Sequence, residues 1–173
     1  MEDFVTGITT EVEVLVADLA PEQVWDLVTD VGRIGEWSPE CSSAVWLERS
    51  DGVPRAGDRF LGRNDFGDGF TTTVACVVTQ SHRPRVFEWV VIDPDGDVDQ
   101  PGSIWRYDLR PAGAGTRVKH TFVHGPGLSG LREGTLVAPH RATRIIADRL
   151  TTLHQNMTQT VHAMTRTGAA ASA

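Results

Sequence analysis

The sequence has two cysteines, Cys41 and Cys76. That is too few for a disulfide framework, and they stand at no metal-finger spacing, so each reads as a small buried hydrophobe. Lysine is almost missing: Lys119 is the only one, and 16 basic residues face 23 acidic ones. A net charge of −7 leaves no basic face for nucleic acid and does not favour an anionic membrane surface. No apolar run reaches the roughly 18 residues of a membrane span. The start "MEDFVTGITT" lacks the basic and apolar regions of a signal peptide. There is no P-loop and no G-x-S-x-G, which counts against phosphoryl-transfer and serine-hydrolase chemistry. The expectation is a reduced, cytoplasmic protein, monomer or homodimer, with no cofactor, metal, nucleic-acid partner or membrane insertion.

What the sequence does have is alternation. At 173 residues and 40% hydrophobic content it fits one domain with a sizeable core. "TTEVEVLVADL" sets Val12, Val14 and Val16 against Glu11, Glu13 and Leu15, a strand with one buried face. "PEQVWDLVTD" reads as a helix begun by Pro21, and "VGRIGEWSPE" as a second short helix ended at Trp37-Ser38-Pro39. From 41 to 124 six further segments rich in Val, Thr, Phe and Trp are separated by turn residues, which implies antiparallel neighbours. Residues 124 to 138 form a Gly-rich connection. A last helix is expected from about 139 to 167, where Ile146, Leu150, Leu153, Met157, Val161 and Met164 recur at intervals of three and four. The fold class is therefore α+β: about seven antiparallel strands curled around a long C-terminal helix, with two short helices after the first strand. Residues 1–168 make one domain, and 169–173 a disordered tail.

The alternation also selects candidate site residues. In "GTRVKHTFVH", Arg117 and Lys119 belong in water, so Val118, His120, Phe122 and His124 point inward. Four residues apart on a strand, the two histidines are about 13 Å apart, too far to share a metal. His140, His154 and His162 form no i, i+4 pair. "DPDGDVDQ" lacks the glycine and glutamate of a calcium loop and reads as a solvated turn. Phe87, Trp89, Trp105 and Tyr107 share the inward face with Phe122, a wall suited to a flat guest or to plain core packing. Phe60 and Asn64 point the same way on their strand, Asn64 either toward a ligand or into the turn at Asp65.

The sequence resembles the START-like (SRPBCC) helix-grip superfamily, in its polyketide cyclase/dehydrase-type branch. The resemblance rests on "VEVLVADLAPEQVWDLVTDVGRIGEWSPE", "GDRFLGRND" with "FTTTVACVV", "WRYDLRPAGAGTRVKHTF" and the long terminal helix, from roughly residue 9 to 165. It implies a deep, mostly apolar cavity between sheet and helix that holds a hydrophobic, aromatic or polycyclic small molecule of polyketide or lipid type. Thr72, Val74 and Cys76 from the strand "FTTTVACVV" would then line it, as would Leu150, Leu153 and Met157 from the helix. Trp37 would stand at the rim, and "HGPGLSGLREGTLV" would be a flap with Leu128, Leu131 and Leu136 as lid residues and glycines as hinges. An aromatase/cyclase is the alternative, with His120, Tyr107 and Asn64 polarising carbonyls and moving protons. Against it, the aromatase/cyclases carry a buried Arg on the strand where this sequence has Thr72, Val74 and Cys76. A protein-interaction module of the same fold is a weaker alternative.

Overall fold

Seven antiparallel strands in the order β1-β7-β6-β5-β4-β3-β2 form a single open sheet in the computed structural model, which describes residues 3–49, 51–93 and 96–171. They are β1 (Thr9–Val16), β2 (Cys41–Glu48), β3 (Arg59–Asp65), β4 (Thr71–His82), β5 (Val86–Ile92), β6 (Ser103–Ala112) and β7 (Gly115–His124). Only the first and last strands pair out of sequence order, so β1 closes on β7 and β2 is left at the far edge. Most other connections are hairpins. The tightest is the two-residue turn at Gly113 and Ala114, where Gly113 takes φ +60°, a conformation that L side chains disfavour.

The period of two decides which side is filled. In β7, Val118, His120, Phe122 and His124 are all buried. Arg117 and Lys119 face out and pair with Glu13 and Glu11 of β1 at 2.6 and 2.8 Å. These exposed ion pairs set register more than they add stability.

Between β1 and β2 the chain forms α1 (Pro21–Val28) and a 3-10 turn at Val31–Glu36. Pro21 starts α1 where its missing N–H costs nothing, and the Gln23 side chain accepts a hydrogen bond from the Ala20 N–H at 2.9 Å. Val24, Trp25 and Val28 are buried beneath it. After β7 come α2 (Gly130–Val137), a 3-10 turn at Pro139–Arg141, and α3 (Ala142–Ala171).

Three expectations change here. The Gly-rich connection contains a helix, capped by the Ser129 side chain on the Arg132 N–H at 3.0 Å. Gly130 and Gly134 lower helix propensity, which hid it. The long helix begins at Ala142, because Pro139 and its neighbours are taken up in the 3-10 turn. It also runs to Ala171, so residues 169–171 of the expected tail are helical, while 172 and 173 lie outside the described residues. Of the expected solvated turn "DPDGDVDQ", residues 94 and 95 lie outside the described residues.

The glycines of the flap are not hinges at its root. A Cβ on Gly125 would run into the Pro101 carbonyl, and one on Gly127 into the Gln100 carbonyl. Both glycines donate backbone hydrogen bonds to this neighbouring loop, to Gly102 O at 3.0 Å and Pro101 O at 2.9 Å. Gly125 and Gly127 therefore allow two backbones to touch, which fixes the flap in place.

Helix α3 crosses the concave face and packs in two places. Near its middle, Leu153 and Met157 meet Val12 and Phe122. Toward its C-terminus, Val161 and Met164 join Leu19, Val24, Trp25 and the sheet residues below them. Leu153 is 1% exposed, so Leu153→Asp places an unpaired charge in a dry contact at a cost of several kcal/mol. Loss of the cooperative thermal transition is expected in circular dichroism. A folded variant of near wild-type stability would mean that this contact does not hold helix to sheet.

Candidate functional site: a cavity between sheet and helix

Beside these contacts the helix, sheet and flap enclose a cavity of about 960 Å³. Its floor follows from strand register. Val12, His120, Tyr107 and Phe87 stand directly opposite one another on β1, β7, β6 and β5. The next row is Phe122, Trp105 and Trp89. The third is His124, Ser103, Val91, Cys76, Phe60 and Trp46. Because cross-strand neighbours touch, the aromatic rings form a continuous band. Trp89 and Trp105 stack with centroids 6.3 Å apart, Trp105 meets Phe122 edge-on at 4.9 Å, and Phe60 joins Trp46 at 5.2 Å and Trp89 at 6.1 Å.

His120 lies over Tyr107, ring centroids 3.9 Å apart and planes within 7°. Its Nδ1 is 3.1 Å from the Arg106 carbonyl. A carbonyl can only accept, so Nδ1 carries the proton and Nε2 presents a lone pair. Burial holds the His120 pKa at about 4, against a weaker upward push from the Arg106 carbonyl, so the ring is neutral at neutral pH. Burial also raises the Tyr107 phenol well above its ordinary value, which keeps it protonated. Neither the Tyr107 hydroxyl nor His120 Nε2 has a hydrogen-bond partner among the described residues, and both residues line the cavity.

The structure brings most of the candidate residues together around this cavity. Trp37, Phe60, Asn64, Thr72, Val74 and Cys76 face the cavity, as do Phe87, Trp89, Trp105, Tyr107, His120 and Phe122. Leu128 and Leu131 line it from the flap, and Leu153 and Met157 from the helix. Leu150 does not line it: it packs against the cluster of Leu153, Met157, Val12 and Phe122. Leu136 is exposed, and its neighbour Val137 reaches the cavity instead. Asn64 faces inward, but its amide donates to Thr72 Oγ1 at 3.3 Å. It stands three strands from Tyr107, about 14 Å along the sheet, so the three polar candidates do not converge on one reacting group. Burial raises the thiol pKa of Cys41 to about 11 and that of Cys76 further, which keeps both uncharged.

What the sequence reading missed is a charged group in the wall. Arg149 of α3 binds both oxygens of Glu40, at 2.6 and 2.7 Å, and Asn156 donates to Glu40 at 3.2 Å. The guanidinium also lies 5.6 Å from the Phe66 ring centroid. All four side chains line the cavity. Ile145, Arg149, Asn156 and Thr160 recur at helical spacing beside the apolar stripe, so the periodicity that revealed the stripe also carried this signal. The exposed lining residues Phe66, Phe70, Leu128 and Val137 mark where the cavity opens to solvent. No described helix is long and apolar enough to cross a membrane.

No curated protein matches the sequence. Among solved structures, the Polyketide_cyc-like protein Cgl2372 from Corynebacterium glutamicum is similar at 27% identity and a TM-score of 0.64, over 93% of this chain and 91% of that one. TTHA0849 from Thermus thermophilus shares the fold at 17% identity and a TM-score of 0.67, over 96% and 100% of the chains. The di-domain ARO/CYC StfQ from the steffimycin biosynthetic pathway shares it at 14% identity and 0.64, over 94% of this chain and 49% of that one. The sequence itself matches the family described as polyketide cyclase / dehydrase and lipid transport across residues 7–158. With its helix-grip sheet and internal cavity, the chain belongs to that polyketide cyclase / dehydrase and lipid transport family.

Proposed function

We propose that the protein binds a hydrophobic, aromatic or polycyclic small molecule, polyketide- or lipid-like, in the cavity between sheet and α3. The observation that carries this reading is the band of rings beneath a cavity of about 960 Å³, which lies within the range of small-molecule sites. Trp89 and Trp105 offer parallel faces to a flat guest. The Tyr107 hydroxyl offers a donor and His120 Nε2 an acceptor, side by side, for one oxygen function on that guest.

The same pair favours a second reading, an aromatase/cyclase in which Tyr107 polarises a carbonyl and His120 accepts a proton. Magnitudes weigh against it. A base whose pKa is about 4 is far weaker than the carbon acids of a polyketide chain require, and each pKa unit of mismatch costs about 1.4 kcal/mol. His120 is therefore better suited to accept a hydrogen bond than to abstract a proton. The exposed Leu128 fits an interaction module, but a deep aromatic cavity is not needed for one.

Native mass spectrometry of protein from its own source, with extraction of whatever co-purifies, tests the binding reading. A bound aromatic or lipid-like mass is expected. With that compound as ligand, His120→Phe should leave the protein folded and weaken binding by roughly tenfold, the value of one hydrogen bond at about 1–1.5 kcal/mol. Unchanged affinity would remove His120 from the site. Conversion of the compound by wild type but not by His120→Phe would favour the cyclase.

Burial of His120 also makes stability depend on pH. Its pKa of about 4 in the folded chain is depressed from an unfolded value of 6.5. Between those values the unfolded chain binds a proton that the folded chain does not. Stability is therefore complete above about pH 6.5 and falls as the pH drops toward 4, by roughly 2 kcal/mol at pH 5 for this group alone. His124 is depressed as well, chiefly by burial and then by Arg132, and acts in the same direction. Urea midpoints at pH 7.5 and pH 5 check this: the fall should be smaller in His120→Phe. An equal fall in both proteins would place the titrating group elsewhere.

A further inference from the structure

His124 and Ser129 make a second chemical centre at the edge of the cavity, separate from the Tyr107–His120 pair. Strand β7 ends at His124, and five residues later Ser129 caps α2. Ser129 Oγ is 2.6 Å from His124 Nε2 and accepts the Arg132 N–H at 3.0 Å. Capping the helix uses a lone pair of Oγ and leaves its hydrogen, which points to Nε2 when that nitrogen is unprotonated. The imidazole is only 2% exposed, and its other nitrogen, Nδ1, has no hydrogen-bond partner among the described residues. The Gly125 carbonyl favours the protonated ring without meeting Nδ1 in hydrogen-bond geometry. A cap requires only Ser129, so the buried histidine held against it, at the cost of an unsatisfied nitrogen, calls for another explanation.

The surroundings supply one. The backbone N–H groups of Gly130 and Leu131, first in α2, have no acceptor among the described residues, and they sit beside Oγ at the positive end of the helix. Ser129 itself is half-buried between exposed Leu128 and the cavity, which both Ser129 and His124 line. A substrate seated there keeps its apolar part inside and its polar part in solvent.

We propose that Ser129 and His124 are a nucleophile–base pair that cleaves an oxoester or thioester whose hydrophobic acyl group occupies the cavity. The proposal rests on the cavity-binding reading above. Ser129 Oγ attacks the acyl carbon while its proton passes to His124 Nε2, and the developing oxyanion faces the Gly130 and Leu131 N–H groups. As the C–O or C–S bond breaks, the imidazolium returns that proton to the departing alkoxide or thiolate, leaving acyl-Ser129. Water then attacks the acyl-serine, giving its proton to Nε2, and the proton ends on Ser129 Oγ as the carboxylic acid leaves.

The test uses the whole protein with p-nitrophenyl decanoate as cleavable probe and a decyl fluorophosphonate as trapping probe. Nitrophenolate release is expected, with one phosphonyl adduct that peptide mapping places on Ser129. Ser129→Asn keeps a capping oxygen but no nucleophile, and should lose the adduct and roughly 100-fold or more in rate. His124→Gln should slow both reactions by a similar factor. Quenching of tryptophan fluorescence by p-nitrophenyl decyl ether, which cannot be cleaved, reports cavity occupancy separately. Quenching without any adduct on Ser129 would overturn the nucleophile and leave the cavity reading intact. Absence of both quenching and adduct would overturn the two together. An adduct formed at the wild-type rate in His124→Gln would overturn the pair.

Discussion

The structure depends on how a 30-residue helix meets a curled sheet. A straight helix of that length, about 45 Å, cannot follow the concave face of seven twisted strands. It touches near Leu153 and Met157 and again near Val161 and Met164, and between sheet and helix a cavity is left. A dry void of about 960 Å³ would cost about 23 kcal/mol at the rate measured for small engineered cavities. That exceeds the whole net stability of an ordinary domain. Such a space has to be filled by water or by a guest. The donors and acceptors set into its wall, at Tyr107, His120, Asn64 and the Glu40–Arg149 pair, are what makes either filling tolerable.

Polar groups in an apolar wall must be satisfied or kept neutral, and this chain does both. Arg149 is neutralised by Glu40, with Asn156 as a further donor, so the cavity gains a polar edge without an isolated charge. His120, Tyr107 and Cys76 are uncharged because burial disfavours their ionised forms. The aromatase/cyclase resemblance leads one to look for arginine on β4, but the strand there carries Thr72, Val74 and Cys76. The arginine that faces this cavity comes from the opposite wall, on α3, and it is already paired. A ligand carbonyl near β4 therefore meets no cation, which fits a guest held by ring contacts and one hydrogen-bonding pair.

How far the sequence could be read depended on periodicity. Strand alternation is strict enough that β7 alone predicts the inward histidines, and register then assembles Phe87, Tyr107 and His120 into one row without further information. The apolar stripe of α3 was equally legible. Residues whose position depends on tertiary contact were not. Helical spacing sets Arg149 beside the stripe, but nothing local names its partner, Glu40, more than one hundred residues earlier. Leu150 has the right spacing for the cavity, but its place on the helix turns it into the Val12–Phe122 contact. In "HGPGLSGLREG", glycines suggested a mobile flap, because their role as close-packed backbone against Gln100 and Pro101 exists only once the two loops meet.

The two inward histidines show how one sequence pattern yields two chemical states. Both sit on the buried face of β7 in the same i, i+4 phase. His120 is in mid-strand, where the neighbouring carbonyl of Arg106 fixes its proton on Nδ1 and the Tyr107 ring covers one face. It is held rigid, and Nε2 is left to meet whatever fills the cavity. His124 is the last residue of the strand, and its Nδ1 has no hydrogen-bond partner among the described residues. The partner of Nε2 is a hydroxyl from the next element, reached because Gly125 and Gly127 let the chain turn tightly against the 100–102 loop. Strand alternation brings both rings inward, but the end of the strand decides which of them can find a serine.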